Sequence, residues 1–436
     1  MELDIIEIAQ MCGGRLERGN PTTITGYSID SRTTQTGDLF IPLIAERDGH
    51  DFIYHAMEAG AVAHLNSRGE YLENAIYVES TSEALQRLGR LALGKLSAVS
   101  IGVTGSVGKT TTKDMLKDCF APSYVSWASE QSFNNEIGVP LSILSSPENA
   151  EFLILEMGAR GVGQIEKLCE IGKPTVGVVT SIGIAHSEFF GDLSQIILAK
   201  GELVESLNSD GLAVLNNDDQ NVRELRNRTS AEVLLYGTEG GDVVAENVCL
   251  DSELKPNFHL RSPWGSLPIC LNVSGEHNVM NALAAAATAM YFDVPISSVG
   301  KALESVEISP FRMETYETSQ GMLVINDCYN ANPLSMKAAL NTLISSGRKN
   351  LIAVLGIMAE LGDDHASSHI EIGDFARSNN VEVISVNVKE YGGQLVSSID
   401  EALHALEDRS SMGINTAILI KGSRVIGLEE LAKKLS

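Results

Sequence analysis

The sequence predicts an α/β protein built around a mostly parallel sheet with helices on both faces. Three observations carry this. Between residue 97 and about residue 310, the apolar runs "AVSIGVTG", "FLILEMG", "VGVVTSIG" and "GLAVLNND" alternate with helical segments. The runs are continuously apolar rather than alternating, as in strands buried on both sides. The same rhythm returns further on in "GMLVINDC", "NLIAVLGIM", "VEVISVN" and "TAILIKGS", which predicts a second open α/β unit.

A chain of 436 residues suits about three domains, and the texture changes at two places. Residues 1–96 read as a small α/β unit. The helix "IIEIAQMCGG" is closed by glycines, "ITGYSIDSR", "DLFIPL" and "AIYVE" are short strands and turns, and "SEALQRLGRLALGKL" is a second helix. Residues 97–310 hold the buried strands. After Gly241 they become antiparallel in character, with short strands from Val243 to Val273 broken by "SPWGS", before the Ala-rich helix "HNVMNALAAAATAMYF". The proline in "VEISPFRME" suggests a hinge, and residues 311–436 form the last unit.

Composition excludes several function classes. Lys and Arg total 32 against 57 Asp and Glu, a formal charge of −25. No basic surface is available to release phosphate counterions, so nucleic acid and anionic membrane are not expected partners. A polyanionic substrate must instead be gripped locally. "MELDIIEIAQ" has neither a basic n-region nor a long apolar run, so the expected location is the cytoplasm. The six cysteines are scattered without a C-x-x-C pair and are expected to be buried, reduced thiols.

The stretch "SIGVTGSVGKTTTKDML" is the most informative. A short strand runs into a turn where Gly105 and Gly108 supply conformations other residues avoid. Backbone N–H groups from Thr104, Gly105, Ser106, Val107 and Gly108 then point toward a helix N-terminus, a setting for an anion. Lys109 adds a cation for outer phosphates, and the Thr110 hydroxyl, followed by Thr111, is placed to hold Mg²⁺. The pattern G-x-x-x-x-G-K-[ST] is not met in full, since Val103 stands where its first glycine belongs.

In open α/β sheets, ligands bind beyond the carboxyl ends of strands. Glu156 ends an apolar strand there and could hold Mg²⁺, and His186 follows the next strand at matching depth. Lys200 reads as an ordinary lysine near a helix start, expected to be solvated. Asn134 and Asn135 read as turn residues. His365 and His369 share an i, i+4 spacing but lack a third zinc ligand. In the last unit, "VINDCYNANPLSM" gathers Asp327, Tyr329, Asn330 and Asn332, and "ILIKGSR" sets Lys421, Ser423 and Arg424 at another strand end.

Taken together, "VTGSVGKTTTK", "SFNNEIGVP", "LEMGAR", "IAHSEFFG", "AKGEL", "GEHNVMNALAA" and "YNANPLSM" resemble, in order and over essentially the whole chain, the Mur ligase family of cell-wall enzymes. "YNANPLSM" and "KGSR" resemble the branch that adds D-alanyl-D-alanine, whereas folylpolyglutamate synthases and the diaminopimelate- or lysine-adding ligases differ there. The resemblance implies the three-domain Mur ligase architecture. An N-terminal UDP-sugar-binding domain (1–96) precedes a central P-loop ATPase-type domain with a parallel sheet (97–310). A C-terminal, dinucleotide-binding-like open α/β domain (311–436) takes the incoming dipeptide. It also implies an ATP- and Mg²⁺-dependent, monomeric enzyme acting on UDP-N-acetylmuramoyl-tripeptide and D-alanyl-D-alanine through an acyl phosphate.

The resemblance further implies residue roles. Lys109 would neutralise outer phosphates, while Thr110 and Glu156 would hold one Mg²⁺. His186 would serve a second metal, with Lys200 as a lysine carbamylated by CO₂. Beside two dications an ammonium is repelled, whereas the CO₂ adduct is an anion. Asn278 and Asn281 would contact the base, and Arg312 and Asp327 would reach the nucleotide. Asp30, Ser31, Arg32 and His50, with Asn134 and Asn135, would serve the UDP substrate. Asn330, Asn332, Lys421 and Ser423 would lie nearest the dipeptide. Two departures stand out. Val107 replaces the usual Asn or Ser of the loop, and Ile357 replaces the usual Asp of "LGDMxELG". A nucleotide switch without chemistry would also need the loop, but not a second set of metal ligands.

Overall fold

Strand Val99–Thr104 lies inside a nine-stranded sheet, between Phe152–Glu156 and Val176–Val179, and runs parallel to both. The structure is a computed structural model describing every residue except 18–20, 70–72, 130–132, 185–186, 408 and 436. His186 therefore lies outside the described residues. On one side of the triplet the sheet continues through Ser126–Ala128. On the other it runs through Leu212–Asn216 and Glu232–Gly237 to the strands Val243–Leu250, Pro256–Ser262 and Gly265–Cys270. Pairing is parallel as far as Val243–Leu250 and antiparallel beyond it.

The apolar runs explain the burial. Ile101, Val103 and Ile154 pack on one face with the Ala-rich helix Asn278–Tyr291, and Leu153 and Leu155 pack on the other. Such a sheet is closed on both faces, leaving the carboxyl edge of its strands as the place for a ligand. Parallel register puts Glu156 opposite Val103, and Val179 opposite Thr104, so all three strands end at the glycine turn. Cys12, Cys119, Cys169 and Cys328 are buried as expected, but Cys249 and Cys270 are exposed. Both pair in register with Asn257, which sets them on the same solvent-facing side of the antiparallel strands.

The N-terminal residues form a five-stranded sheet in which Gly26–Ser28, Asp38–Phe40, Ala63–Asn66 and Ala75–Tyr77 are parallel neighbours. Helix Ile5–Cys12 begins where the Asp4 carboxylate accepts from the Ile6 N–H at 2.8 Å, and ends at Gly13, at φ 66°. Helix Thr81–Leu93 packs its apolar face toward the central sheet's helices.

The C-terminal residues form a six-stranded sheet in the order Glu314–Glu317, Leu323–Asp327, Thr416–Lys421, Asn350–Leu355, Val381–Val386, Gln394–Val396. Only the first pair is antiparallel, and Asp327 sits opposite Lys421. Before this sheet, Phe311 and Met313 take positive φ values of 63° and 50°, so the chain bends within the segment where the sequence suggested a hinge. The bend is anchored, since the Ser309 N–H and hydroxyl both donate to Asp114, at 2.9 and 2.7 Å. No helix among the described residues is long and apolar enough to cross a membrane.

Candidate active site

The glycine turn is held open by close approach. Gly105 (φ 153°) lies so near Thr180 that a Cβ would meet its Oγ1 at 1.9 Å, and at Gly108 (φ 86°) a Cβ would meet Asn281 Oδ1 at 2.4 Å. Helix Lys109–Phe120 starts directly after Gly108. The turn is braced from the next strand, with the Thr180 hydroxyl donating to the Val107 carbonyl at 2.5 Å and Ser106 Oγ to the Gly183 carbonyl at 2.8 Å. The Val107 N–H donates to Ser181 Oγ at 3.1 Å. Thr104 is fully buried and spends its hydroxyl on the Met157 carbonyl at 2.8 Å.

Glu156 is the hub. It is 1% exposed. One carboxylate oxygen accepts from the Thr110 hydroxyl at 2.7 Å, the other from Asn134 Nδ2 at 2.9 Å. Thr110 Oγ1 also accepts from Arg312 at 2.8 Å. Lys109 bends back so that its Nζ donates to the Gly105 carbonyl at 2.6 Å. Desolvation lowers its pKa and Arg312 lowers it further, while Glu156 opposes the shift.

Lys200 departs most from its sequence-based expectation. It occupies the middle of helix Leu193–Glu205 and is 3% exposed, not solvated. Among the described residues nothing forms a hydrogen bond or ion pair with its amine. Burial, with the like charge of Lys109 adding to it and Glu202 opposing, brings its pKa down to about 7.

These side chains share one cleft of about 600 Å³. Ser106, Val107, Gly108, Lys109, Thr110 and Thr111 form its floor, and Glu156 and Lys200 one wall. Asn278 and Asn281 face them, joined by a 2.8 Å hydrogen bond. Arg312, Asp327, Asn330, Asn332 and Lys421 close it from the C-terminal side. Arg312 lies over the Tyr329 ring at 4.0 Å, and its Nε is buried without a partner. Lys421 is 1% exposed and donates to Asp327 at 2.5 Å and to the Asn330 carbonyl at 2.8 Å.

Ser423, His365 and His369 do not line the cleft. Ser423 is buried outside the cleft wall and accepts from the Ala359 N–H at 3.0 Å. Asn332 caps the helix Pro333–Ser345. His369 accepts from the Met358 N–H at 3.0 Å with its Nε2, and its Nδ1 meets the His365 carbonyl at 2.6 Å. Both nitrogens are occupied, and no group of three potential metal-ligating residues occurs among the described residues. Asn134 and Asn135 are on the cleft wall, not with the N-terminal candidates.

Those candidates cluster at the carboxyl ends of the N-terminal parallel strands. Arg32 grips Asp30 through Nε and Nη2, which takes the Asp30 carboxyl down to about 2. Ser31 Oγ lies 3.0 Å from His55 Nδ1. His50 Nδ1 lies 2.6 Å from Asp48, and its Nε2 accepts from the Ser67 N–H at 3.1 Å. Arg68 also grips Asp48. Asp48 opens the "DGHDF" segment that, with His50, resembles the family's UDP site, whereas His55, Ser67 and Arg68 escaped the sequence reading. Thr180, Ser181 and Asn216 were missed in the same way at the central sheet.

The donor set fits a nucleotide and a hard cation. A hydroxyl and a carboxylate 2.7 Å apart at the phosphate turn are the oxygen ligands a divalent cation prefers. The unpartnered Nε of Arg312 has a donor to spare for an anion.

Comparison with known proteins agrees. Residues 103–289 match the Mur ligase middle domain and residues 311–424 the Mur ligase glutamate ligase domain. The UDP-N-acetylmuramoyl-tripeptide–D-alanyl-D-alanine ligase of Bacillus subtilis is 36% identical, over 98% of this chain and 97% of its own. The crystal structure of MurF from Acinetobacter baumannii superposes with a TM-score of 0.91 at 30% identity, covering 100% of this chain and 99% of that one. MurF from Thermotoga maritima in complex with ADP gives 0.83 at 28% identity, covering 94% and 96%. The chain belongs to the Mur ligase family.

Proposed function

We propose that the protein is an ATP-dependent amide ligase that joins D-alanyl-D-alanine to UDP-N-acetylmuramoyl-tripeptide, releasing ADP and phosphate in peptidoglycan precursor synthesis. The observation that carries this is the convergence of the Lys109–Thr110 turn, Glu156, Lys200, Arg312 and Lys421 on one cleft. The named relatives point to the same reaction.

A carboxylate is a poor acyl donor because its leaving group would be oxide. Transfer of the γ-phosphoryl group of ATP to the peptide carboxylate gives an acyl phosphate. The dipeptide amine then attacks the acyl carbon, and the tetrahedral adduct collapses with loss of phosphate. The turn's backbone N–H groups and Lys109 hold the outer phosphates. Thr110 and Glu156 hold Mg²⁺, with Asn134 fixing the Glu156 carboxylate. Bound there, the cation neutralises charge that builds up on the transferring phosphoryl group. Asn278 and Asn281 meet the base, and Arg312 and Asp327 approach the nucleotide from the linker and the last sheet. Lys421, held by Asp327 and the Asn330 carbonyl, stands with Asn330 and Asn332 nearest the incoming dipeptide.

Lys200 is read as a carbamate and, with His186, as a ligand of a second Mg²⁺. Carbamylation requires the free amine, and a buried lysine with a pKa near 7 supplies it at neutral pH. The blocks 1–96, 97–310 and 311–436 are assigned to UDP-sugar, ATP and dipeptide. Asp30, Ser31, Arg32 and His50 serve the UDP end, while Asn134 and Asn135 meet the peptide end of the same substrate. We place the enzyme in the cytoplasm, as a monomer. The test is phosphate release with ATP, Mg²⁺ and UDP-N-acetylmuramoyl-tripeptide, comparing D-alanyl-D-alanine with single amino acids. Release with the dipeptide alone, with the pentapeptide product seen by mass, is expected. Release only with a single amino acid, or with none, would overturn the reading.

A further inference from the structure

Thr110, Asp114 and Asp118 recur at every fourth residue of helix Lys109–Phe120, so they share one face. The linker that leads into the C-terminal sheet runs along this face in the opposite direction. The Glu307 N–H meets Asp118 at 3.4 Å, the Ser309 N–H and hydroxyl donate to Asp114 at 2.9 and 2.7 Å, and Arg312 donates to Thr110 at 2.8 Å. The first contact is long and contributes little. The middle one holds the segment.

Asp114 is a fixed point. Its side chain is 14% exposed and both of its oxygens are used. Oδ1 pairs with the Lys113 ammonium at 3.2 Å, and Oδ2 takes both hydrogen bonds from Ser309. Lys113 is 2% exposed and also donates to the Ser129 carbonyl at 2.6 Å. A carboxylate with a charged partner and two further donors has little freedom to move.

Beyond Ser309 the chain passes to the other unit. Pro310 is exposed. The Phe311 N–H donates to Glu314 at 2.9 Å and the Met313 N–H to Asp327 at 3.3 Å, both carboxylates on the C-terminal sheet. Arg312 stands between these two, yet its guanidinium returns to the helix one turn nearer the phosphate loop than Asp114. Four helical residues rise about 6 Å, whereas three extended residues reach about 10 Å. The linker spans the distance with slack, which the positive-φ positions 311 and 313 take up.

We propose that Asp114 is a positioning residue for nucleotide binding: by holding Ser309 it fixes the end of the linker from which Arg312 reaches Thr110 and the phosphate loop. The Nε of Arg312, buried without a partner, is then aimed at the nucleotide before it arrives. Without the hold, ordering of the linker falls on the binding step and weakens it. The inference rests on that part of the ligase reading which places a nucleotide at the phosphate loop.

The test is calorimetric binding of a non-hydrolysable ATP analogue to the full chain in four forms: native, Asp114→Ala, Arg312→Ala and the double variant. Asp114→Ala should bind about tenfold more weakly than the native protein, and the double variant no more weakly than Arg312→Ala. Asp114→Asn, which keeps an oxygen for Ser309, should retain most of the affinity. Ser309→Ala leaves Lys113 paired and removes one of the two donors, so it serves where Asp114→Ala fails to fold, with a loss of about threefold. An equal loss with and without Arg312 would reduce Asp114 to general support of the helix and overturn the proposal, as would native affinity in Asp114→Ala or Ser309→Ala. Because binding is read without turnover, a protein that behaves as stated yet releases no phosphate would contradict the ligase reading and leave the role of Asp114 standing.

Discussion

Arg312, from the linker before the C-terminal sheet, donates a 2.8 Å hydrogen bond to Thr110, on the first turn of the helix that follows the phosphate loop. Thr110 in turn donates its hydroxyl hydrogen bond to Glu156 at 2.7 Å, so a residue on the far side of the bend is linked to the carboxylate that ends strand Phe152–Glu156. The linker's positive-φ positions, Phe311 and Met313, flank Arg312 and aim it inward. One guanidinium thereby ties the helix Lys109–Phe120 to the linker before the C-terminal sheet, and the proposed function predicts that nucleotide binding feels its loss.

Arg312→Ala should weaken ATP binding and lower turnover by about 10- to 100-fold, the worth of a charge-assisted hydrogen bond. Arg312→Lys should recover little, because a compact ammonium cannot both lie over Tyr329 and fork to Thr110. Calorimetric titration with a non-hydrolysable ATP analogue reads the first effect, and phosphate release the second. Unchanged ATP affinity in Arg312→Ala would contradict the coupling.

Glu156→Gln keeps the shape of the side chain but removes its charge. Turnover should fall by at least about 100-fold, since stabilising a transferring phosphoryl group is worth several kcal/mol. Affinity for the UDP substrate should be unchanged. Mg²⁺ titration followed by phosphate release should show a weakened metal requirement curve for the variant.

Lys200 sets a pH dependence in the metal-free protein. Its amine titrates near 7 when folded, against the usual value of 10.5 when unfolded. Between those values the unfolded chain binds the extra proton, so this group's contribution makes the fold more stable as pH rises from about 7 toward 10.5. Below about 7 the burden is complete and constant. Lys200→Met should remove a slope of up to about 1.4 kcal/mol per pH unit in that window. Urea denaturation in EDTA at pH 7, 8 and 9 measures it. Identical slopes for the two proteins would rule out a buried, depressed amine. Loss of ligase activity in Lys200→Ala, with rescue by bicarbonate of any weakened variant, bears on the carbamate.

Gly108→Ala should cost about 1–2 kcal/mol from its left-handed backbone alone, before the contact with Asn281 Oδ1 at 2.4 Å is relieved. A lower melting temperature and weaker ATP binding should appear together. A normal ATP affinity would mean that the turn tolerates a Cβ.

Much of this was legible in the sequence. The buried strands announced themselves by unbroken apolarity, and Gly105, Gly108, Lys109 and Thr110 by their spacing. Glu156 was singled out because a carboxylate ending an apolar strand stands at the edge where ligands bind, and the structure places it on the cleft. Lys200 was not legible from physics, because a lysine inside an amphipathic helix looks the same whether its tip meets water or a cleft. Only the family motif singled it out. Asn134 was read as a turn residue, and its bond to Glu156 depends on two segments 22 residues apart meeting at a sheet edge. Exposure of Cys249 and Cys270 likewise follows from sheet register, which no cysteine count reveals.

In the proposed reaction the phosphoryl group of ATP is carried onto the peptide carboxylate before the amide forms. Ligation with UDP-N-acetylmuramoyl-tripeptide labelled with ¹⁸O in both oxygens of its terminal carboxylate tests it directly. One ¹⁸O should appear in the released phosphate and the other in the new amide. Phosphate carrying no label, alongside full product, would contradict the account.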